Sequence, residues 1–492
     1  MSWKLAIFNN KSFDAIIGQN ILKPLNAVID FYHNTITINN NIIQFQNSSP
    51  YSDEVNQIEP IKIDDKIQKI LFNNLNQEEN NALNKILSKF KTLIFLEGQC
   101  LSNTNIIEHQ IKTVMDKPVY CKIYRYPQVH EQEIYKQIEE MLHQGIIRKS
   151  NSPYNAPLWL VPKKADNSGT KKWRIVIDYR KLNENTVDDK FPIPNIEGIL
   201  DKLGRAQYFS TIDLAKGFHQ ILVQEQDREK TAFSTPHGHY EFNRMPFGLK
   251  NAPATFQRLI NTVLKEEINK ICVVYLDDVL IFSTSFSEHV GHIHTIFKKL
   301  SKANLKIQIN KCKFFSKETQ FLGHVLTPEG VKPNPEKVNS ILQLKIPRNI
   351  KQIRAFLGIT GYYRKFIKDF SQVAYPLIKC LKKDAKIDVN EPNFMIAFDK
   401  LKRIITEAPV LKYPDFKKKF QLITDASNIA LGAVLQQDNH PICYASRTLN
   451  DHEKNYSSIQ KDLLAIVWAT AYFRPYLYGV KFDILSDHQP LS

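Results

Sequence analysis

Residues 273–283 read VVYLDDVLIFS, an apolar run with two adjacent carboxylates, Asp277 and Asp278, in its middle. Val, Tyr, Ile and Phe on both sides predict strands, and strands of this kind are buried on at least one face. The two acids occupy the positions between those strands and are expected to form the tip of a β-hairpin. Two like charges placed there repel each other and lose hydration. An Asp-Asp turn is tolerable, although it suits a two-residue hairpin less well than Asn-Gly. The residues alone therefore allow either an ordinary exposed turn or a divalent-metal site. Hard cations such as Mg²⁺ take oxygen ligands, and one bound here would offset the repulsion. Asp213, closing the strand-like QYFSTIDL, supplies a third acid. Three carboxylates on neighbouring strands can hold two metals, an arrangement that activates an attacking hydroxyl and stabilises leaving phosphate oxygens.

Composition frames the same question. A chain of 492 residues implies two to four domains, and 43% hydrophobic with 11% aromatic residues is enough for sizeable cores. The formal net charge of +16 points to a polyanionic partner, nucleic acid first; the alternative is a merely soluble, Lys-rich surface. Cys100, Cys121, Cys272, Cys312, Cys380 and Cys443 lie far apart with no C-x-x-C pair. That argues against a zinc ribbon or disulfide framework and fits a reducing, intracellular setting. His289, His292 and His294 lack a paired zinc-ligand spacing and are read as the polar flank of a helix. No apolar run approaches a membrane span, and MSWKLAIFNNKSF lacks the apolar core of a signal peptide. A soluble intracellular protein without a membrane partner is expected.

Along the chain, NAVIDFYHNTITI reads as short strands. Residues 46–110 are rich in Asn, Gln, Glu and Lys and read as a linker region with one helix near 78–90. Ile134, Ile138, Met141 and Leu142 share one helical face before Gly145. In PKKADNSGTKKWRIVIDYRKLN a polar turn joins two strands, with Lys163, Lys164, Lys171, Lys172 and Arg174 crowding its tip. APATFQRLINTVLKEE sets Phe256, Leu259, Ile260, Val263 and Leu264 on one face, a strong helix signal. Residues 333–412 read as mostly helical and basic, and FQLITDASNIALGAVLQQ opens a final module with a strand, a polar break and a second strand.

YLDD, FSTIDLAKGFHQI, RMPFGLKNAPATFQ, WRIVIDYRKLN and FLGHVLTPEGVKPNPEKV together closely resemble the reverse transcriptase of gypsy-type LTR retrotransposon Pol polyproteins. YLDD alone is a weak signal; five motifs in the family's order are a strong one. The resemblance runs from about residue 10 to the end. It implies an α+β, right-hand polymerase of fingers, palm, thumb and connection. The expected boundaries are a retropepsin-like β-rich remnant over 1–45, the linker over 46–110, fingers and palm over 111–330, thumb and connection over 331–412, and a partial α/β ribonuclease-H-like domain over 413–492.

At matching positions the resemblance implies that Asp213, Asp277 and Asp278 bind two Mg²⁺ ions, with Mn²⁺ as a substitute. A primer 3′-hydroxyl would then attack the α-phosphate of a dNTP. Arg174, with Lys163 or Lys164, would contact the triphosphate, although read alone these lysines form a solvated loop. Phe218 falls where the family places an aromatic gate against the ribose 2′-hydroxyl, although read alone it is as readily a core aromatic. Phe247, Gly248, Pro253 and Gln257 match the segment lining dNTP and template. Gly323 and His324 match the primer grip, and Tyr275 and Leu276 would flank the primer terminus. The partners implied are an RNA template, a DNA primer, their hybrid and dNTPs.

In the final module Asp425 of TDAS and Asp487 of SDHQPL match the first and third ribonuclease H metal carboxylates. The second should be Glu, but Asp462 stands there, one methylene shorter, and the fourth acid would lie beyond Ser492. Ribonuclease H activity is therefore not expected. FDAIIGQNILKPLNAVIDFYHNTITI resembles the last third of a retropepsin-like protease, yet the catalytic Asp-Thr/Ser-Gly is missing from the chain, so no protease activity is expected. Two other readings compete with the polymerase. One is a decayed, non-catalytic nucleic-acid-binding fragment, favoured by Asp462. The other is an RNA-dependent RNA polymerase, which Phe218 and the ribonuclease-H-like tail oppose.

Overall fold

The computed structural model describes residues 28–30, 35–38, 41–44, 75–96, 99–125, 127–162, 173–382 and 387–486. The chain divides into two units, Met1–Gln68 and Lys69–Ser492. In the first, Val28–Asp30, Thr35–Ile38 and Asn41–Gln44 form an antiparallel meander, where the sequence predicts short strands.

The centre of the larger unit is a four-stranded antiparallel sheet in the order Cys272–Tyr275, Asp278–Ser283, Tyr208–Asp213, Lys313–Ser316. Both of its faces are covered, which is why the strands read as continuous apolar runs without polar alternation. On one face Phe209, Val273, Leu280 and Phe282 join a large apolar cluster with residues from the helices beyond residue 333. On the other, the helix Phe286–Lys302 buries Ile293, Ile296, Phe297 and Leu300. Its first turn is capped by the Ser285 side chain, which accepts the Glu288 N–H. The helix Ala252–Val263 buries Phe256, Leu259, Ile260 and Val263, the face predicted from its spacing.

Around this palm the remaining elements follow their sequence signals, with one correction. Residues 75–96 and 99–110, expected as part of a linker, are folded onto the body of the larger unit. The helix Gln77–Lys89 starts in a capping box between Asn76 and Glu79 and buries Leu83, Ile86 and Leu87. Phe90 then meets Phe297 edge-on with ring centroids 6.0 Å apart, and the Phe95 N–H donates to Ile307 O at 3.0 Å. Polar composition concealed these few anchoring apolar residues.

The helix Glu131–His143 buries Ile134 and Ile138 and stops at Gly145, whose φ of 62° favours glycine. Leu158–Pro162 pairs with Trp173–Ile177, and the lysine-rich turn between them lies outside the described residues. Helices Pro335–Leu342, Ile350–Tyr362, Phe370–Lys379 and Pro392–Thr406 form the mostly helical region predicted over 333–412. The last module is a sheet ordered His440–Thr448, Ala430–Gln437, Phe420–Ala426, Phe482–Leu485. Its final strand runs parallel to Phe420–Ala426, after the intervening helix Ser458–Tyr472. Among the described residues no helix is long and apolar enough to cross a membrane.

Candidate active site at the Leu276–Asp277 turn

Strand register fixes the acids. Tyr275 pairs with Asp278, and Asp278 in turn pairs with Asp213. The two-residue loop is therefore Leu276–Asp277, and Asp278 is the first residue of the returning strand. This corrects the sequence expectation that Asp277 and Asp278 share the tip. A tight hairpin turn of this kind needs positive φ at its first central position, and Leu276 takes it at 53°. For a leucine that conformation costs about 1–3 kcal/mol, so its surroundings must hold it.

Gln257 holds it. This side chain, wholly buried on the helix behind the turn, accepts the Leu276 N–H at 2.7 Å and donates its amide to Asn261 Oδ1 at 2.9 Å. Gln257, expected in the segment lining the template, makes its side-chain hydrogen bonds to the turn and to Asn261. A second support is Gly217. A Cβ there would lie 3.1 Å from the Phe256 ring and 3.3 Å from Asp277 Oδ1, so only glycine lets the strand-end segment close on the acid without displacement.

The electrostatics are those of a cation site. Asp277 Oδ1 is buried with no hydrogen-bond partner. Desolvation, then Asp278 and Asp213, push the Asp277 carboxyl up to about 6. Asp278 is raised by desolvation and by Asp213, and Asp213 by desolvation, partly offset by Lys311 with Nζ 3.7 Å from Oδ1. Among the described residues no three such side chains already converge on one ion position. The orphaned oxygen and the mutual repulsion nonetheless fit hard divalent cations, whose charge would relieve both.

Beside the acids, Phe218 is nearly buried on the short turn Gly217–Gln220. Its ring stacks on Phe247 with centroids 4.9 Å apart and tilts against Phe256 at 5.5 Å. Phe247 is half exposed, and Gly248 follows it at φ 96°. Asn183 clamps that loop by donating to Gly248 O at 2.9 Å and accepting the Lys250 N–H at 2.8 Å. Pro253 lies in the first turn of the helix Ala252–Val263. Arg174 is exposed on the strand Trp173–Ile177, opposite Val161; Lys163 and Lys164 lie outside the described residues.

On the other side of the turn, Leu322 and Gly323 form a two-residue hairpin loop, both at positive φ. The Tyr362 hydroxyl donates to Leu322 O at 2.6 Å and the Tyr363 hydroxyl to Gly323 O at 2.8 Å. His324 is buried among the rings of Tyr362, Tyr363 and Phe366. Burial, reinforced by Lys365, lowers its pKa to about 3, so it is neutral.

Sequence spacing gave no sign of Lys311, Asn183 or the two tyrosines, because only chain folding brings them to these motifs. His289 is also repositioned: it is fully buried, not on a polar flank. Its Nε2 lies 2.7 Å from Ser210 Oγ and its Nδ1 2.7 Å from Ser283 Oγ, and desolvation keeps it neutral.

Of the ribonuclease-H-like acids, Asp425 and Asp462 fall among the described residues. Phe420 and Leu422 pack with Ala469 and Phe473 of the helix that carries Asp462. Strand alternation therefore points Asp425 to the opposite face. There Asp369 approaches so closely that a Cβ at Gly432, the cross-strand partner of Asp425, would lie 2.5 Å from Asp369 Oδ1. Asp487 lies outside the described residues.

Comparison with known proteins agrees with this arrangement. Residues 161–326 match the family model "Reverse transcriptase (RNA-dependent DNA polymerase)", and residues 393–484 match "RNase H-like domain found in reverse transcriptase". The chain is 53% identical over 495 residues to the retrovirus-related Pol polyprotein from transposon 297 of Drosophila melanogaster, covering 98% of this chain and 47% of the relative. It is 39% identical over 502 residues to the Pol polyprotein from transposon gypsy of the same organism, with the same coverage. The chain thus spans about half the length of these relatives. Among solved structures, a foamy viral protease-reverse transcriptase in complex with double-stranded DNA superposes with a TM-score of 0.78 at 26% identity, covering 87% of this chain and 75% of that one. The foamy viral protease-reverse transcriptase in complex with an RNA/DNA hybrid gives 0.72 at 25% identity, covering 88% and 58%. Over 98% of its length the chain is thus similar to retrotransposon Pol polyproteins, and residues 161–326, which carry the three palm acids, match the reverse transcriptase family model.

Proposed function

We propose that this chain is an RNA- and DNA-directed DNA polymerase that joins dNTPs to a primer 3′-hydroxyl. The observation that carries the reading is the register that places Asp278 opposite Asp213 and leaves Asp277 Oδ1 buried and unpaired next to them. Asp213, Asp277 and Asp278 would hold two Mg²⁺ ions, with Mn²⁺ as a substitute. When bound, the ions supply positive charge that activates the attacking hydroxyl and offsets charge on the leaving pyrophosphate.

The chain's own residues do the positioning. Phe218, braced between Phe247 and Phe256, presents a ring that cannot retreat from a ribose 2′-hydroxyl. Arg174, with Lys163 or Lys164, neutralises the triphosphate. Tyr275 and Leu276 flank the primer terminus, and the Leu322–Gly323 hairpin, anchored by two tyrosines, bears on the primer strand behind it. An RNA template, a DNA primer and their hybrid are the partners; the formal charge of +16 and relatives solved with duplexes support this. In the final domain, Asp425 faces Asp369, and Asp462 stands where the family has Glu; both support weak or absent ribonuclease H activity.

Primer extension on poly(rA)/oligo(dT) with Mg²⁺ tests the reading. The wild-type chain should extend the primer, and Asp277→Asn should bind the hybrid without extending it. If both bind the hybrid and extend equally poorly, the polymerase reading fails and a non-catalytic nucleic-acid-binding fragment replaces it.

A further inference from the structure

We infer that Asn261 is a positioning residue for the polymerase centre, acting through Gln257 on the Leu276–Asp277 turn; the inference rests on the polymerase reading above. The Leu276 N–H can only donate. The Gln257 atom 2.7 Å from it must therefore be the carbonyl oxygen, Oε1. That choice turns the Gln257 amide nitrogen the other way, inside a wholly buried side chain that needs an acceptor. Asn261 Oδ1, one helical turn further along the same helix, is that acceptor at 2.9 Å.

Asn261 thereby selects one of two amide orientations. Without it, Gln257 either keeps its bond to Leu276 with a buried amide left unpaired, or flips and sets two donors face to face at the turn. Either outcome loosens the residue that carries positive φ immediately before Asp277. The acid itself has little room, because even a Cβ added at Gly217 would lie only 3.3 Å from Asp277 Oδ1. A displacement of about 1 Å at a reacting centre is enough to cost two orders of magnitude in rate.

The test compares Asn261→Leu, which removes the acceptor, with Asn261→Asp, which keeps one. Hydrogen exchange at the Leu276 amide should quicken about tenfold or more in Asn261→Leu and stay within about twofold of wild type in Asn261→Asp. In primer extension kcat should fall about tenfold for Asn261→Leu, with hybrid affinity unchanged, and recover for Asn261→Asp. Asn261→Ala serves if the leucine variant does not fold. On a Gln257→Met background, which removes both bonds, the Asn261→Leu change should have no further effect. Unchanged Leu276 exchange in Asn261→Leu, equal impairment of the Asp and Leu variants, or additive losses in the double variant would overturn the inference. The exchange measurement needs no turnover, so an inactive wild-type chain would count against the polymerase reading alone.

Discussion

Replacing Asp277 by asparagine should make the metal-free protein more stable while abolishing nucleotide transfer. Desolvation and the two neighbouring carboxylates push Asp277 up to about 6, against about 3.9 for an aspartate in water. A folded-state value above the unfolded one means that the native state holds the proton more tightly. Stability is then lost as pH rises from about 4 through about 6, and the penalty is constant above that. At about 1.4 kcal/mol per tenfold change in proton affinity, the full gap corresponds to about 3 kcal/mol. Solvent at the half-buried turn screens this to about 1–2 kcal/mol. Urea unfolding in EDTA at pH 7.5 should therefore show Asp277→Asn more stable by that amount, with the difference vanishing near pH 4. Millimolar Mg²⁺ should stabilise wild type and much less so the variant, since only a ligand favouring the native state shifts the equilibrium. Equal stability of the two proteins at both pH values in EDTA would refute the claim that the carboxylates repel one another in the folded state.

Other changes probe the surroundings of the turn. Gly217→Ala adds a Cβ 3.1 Å from the Phe256 ring and 3.3 Å from Asp277 Oδ1, and should lower kcat about tenfold with hybrid affinity retained, measured by single-turnover extension. Phe218→Ala should raise incorporation of rNTPs relative to dNTPs in a competition assay; an unchanged ratio would remove Phe218 from the gate. Tyr363→Phe deletes the hydroxyl bonded to Gly323 O and should cost about 1 kcal/mol of stability and speed primer dissociation, followed by fluorescence anisotropy. On an RNA/DNA hybrid, Asp462→Glu alone should leave cleavage undetected on a denaturing gel, because Asp425 faces Asp369 and not the helix bearing residue 462.

Sequence by itself determined much of this protein. Apolar runs placed the palm strands, helical spacing placed Ala252–Val263 and Phe286–Lys302, and ordered motifs singled out Asp213, Asp277 and Asp278. These features are local, since periodicity and turn chemistry act over a few residues. What the sequence left open depended on pairing between distant segments. Register alone decided that Leu276, and not Asp278, occupies the turn, because shifting a strand by one residue exchanges its faces. Packing alone set Gln257 as a buried support of the turn, drew residues 75–96 and 99–110 onto the body, and brought Lys311 to Asp213. The same pairing set Asp425 against Asp369, on the opposite face of its sheet from the helix that carries Asp462. Residue type therefore selected the chemistry, and only long-range contacts, which composition does not encode, decided which acids meet.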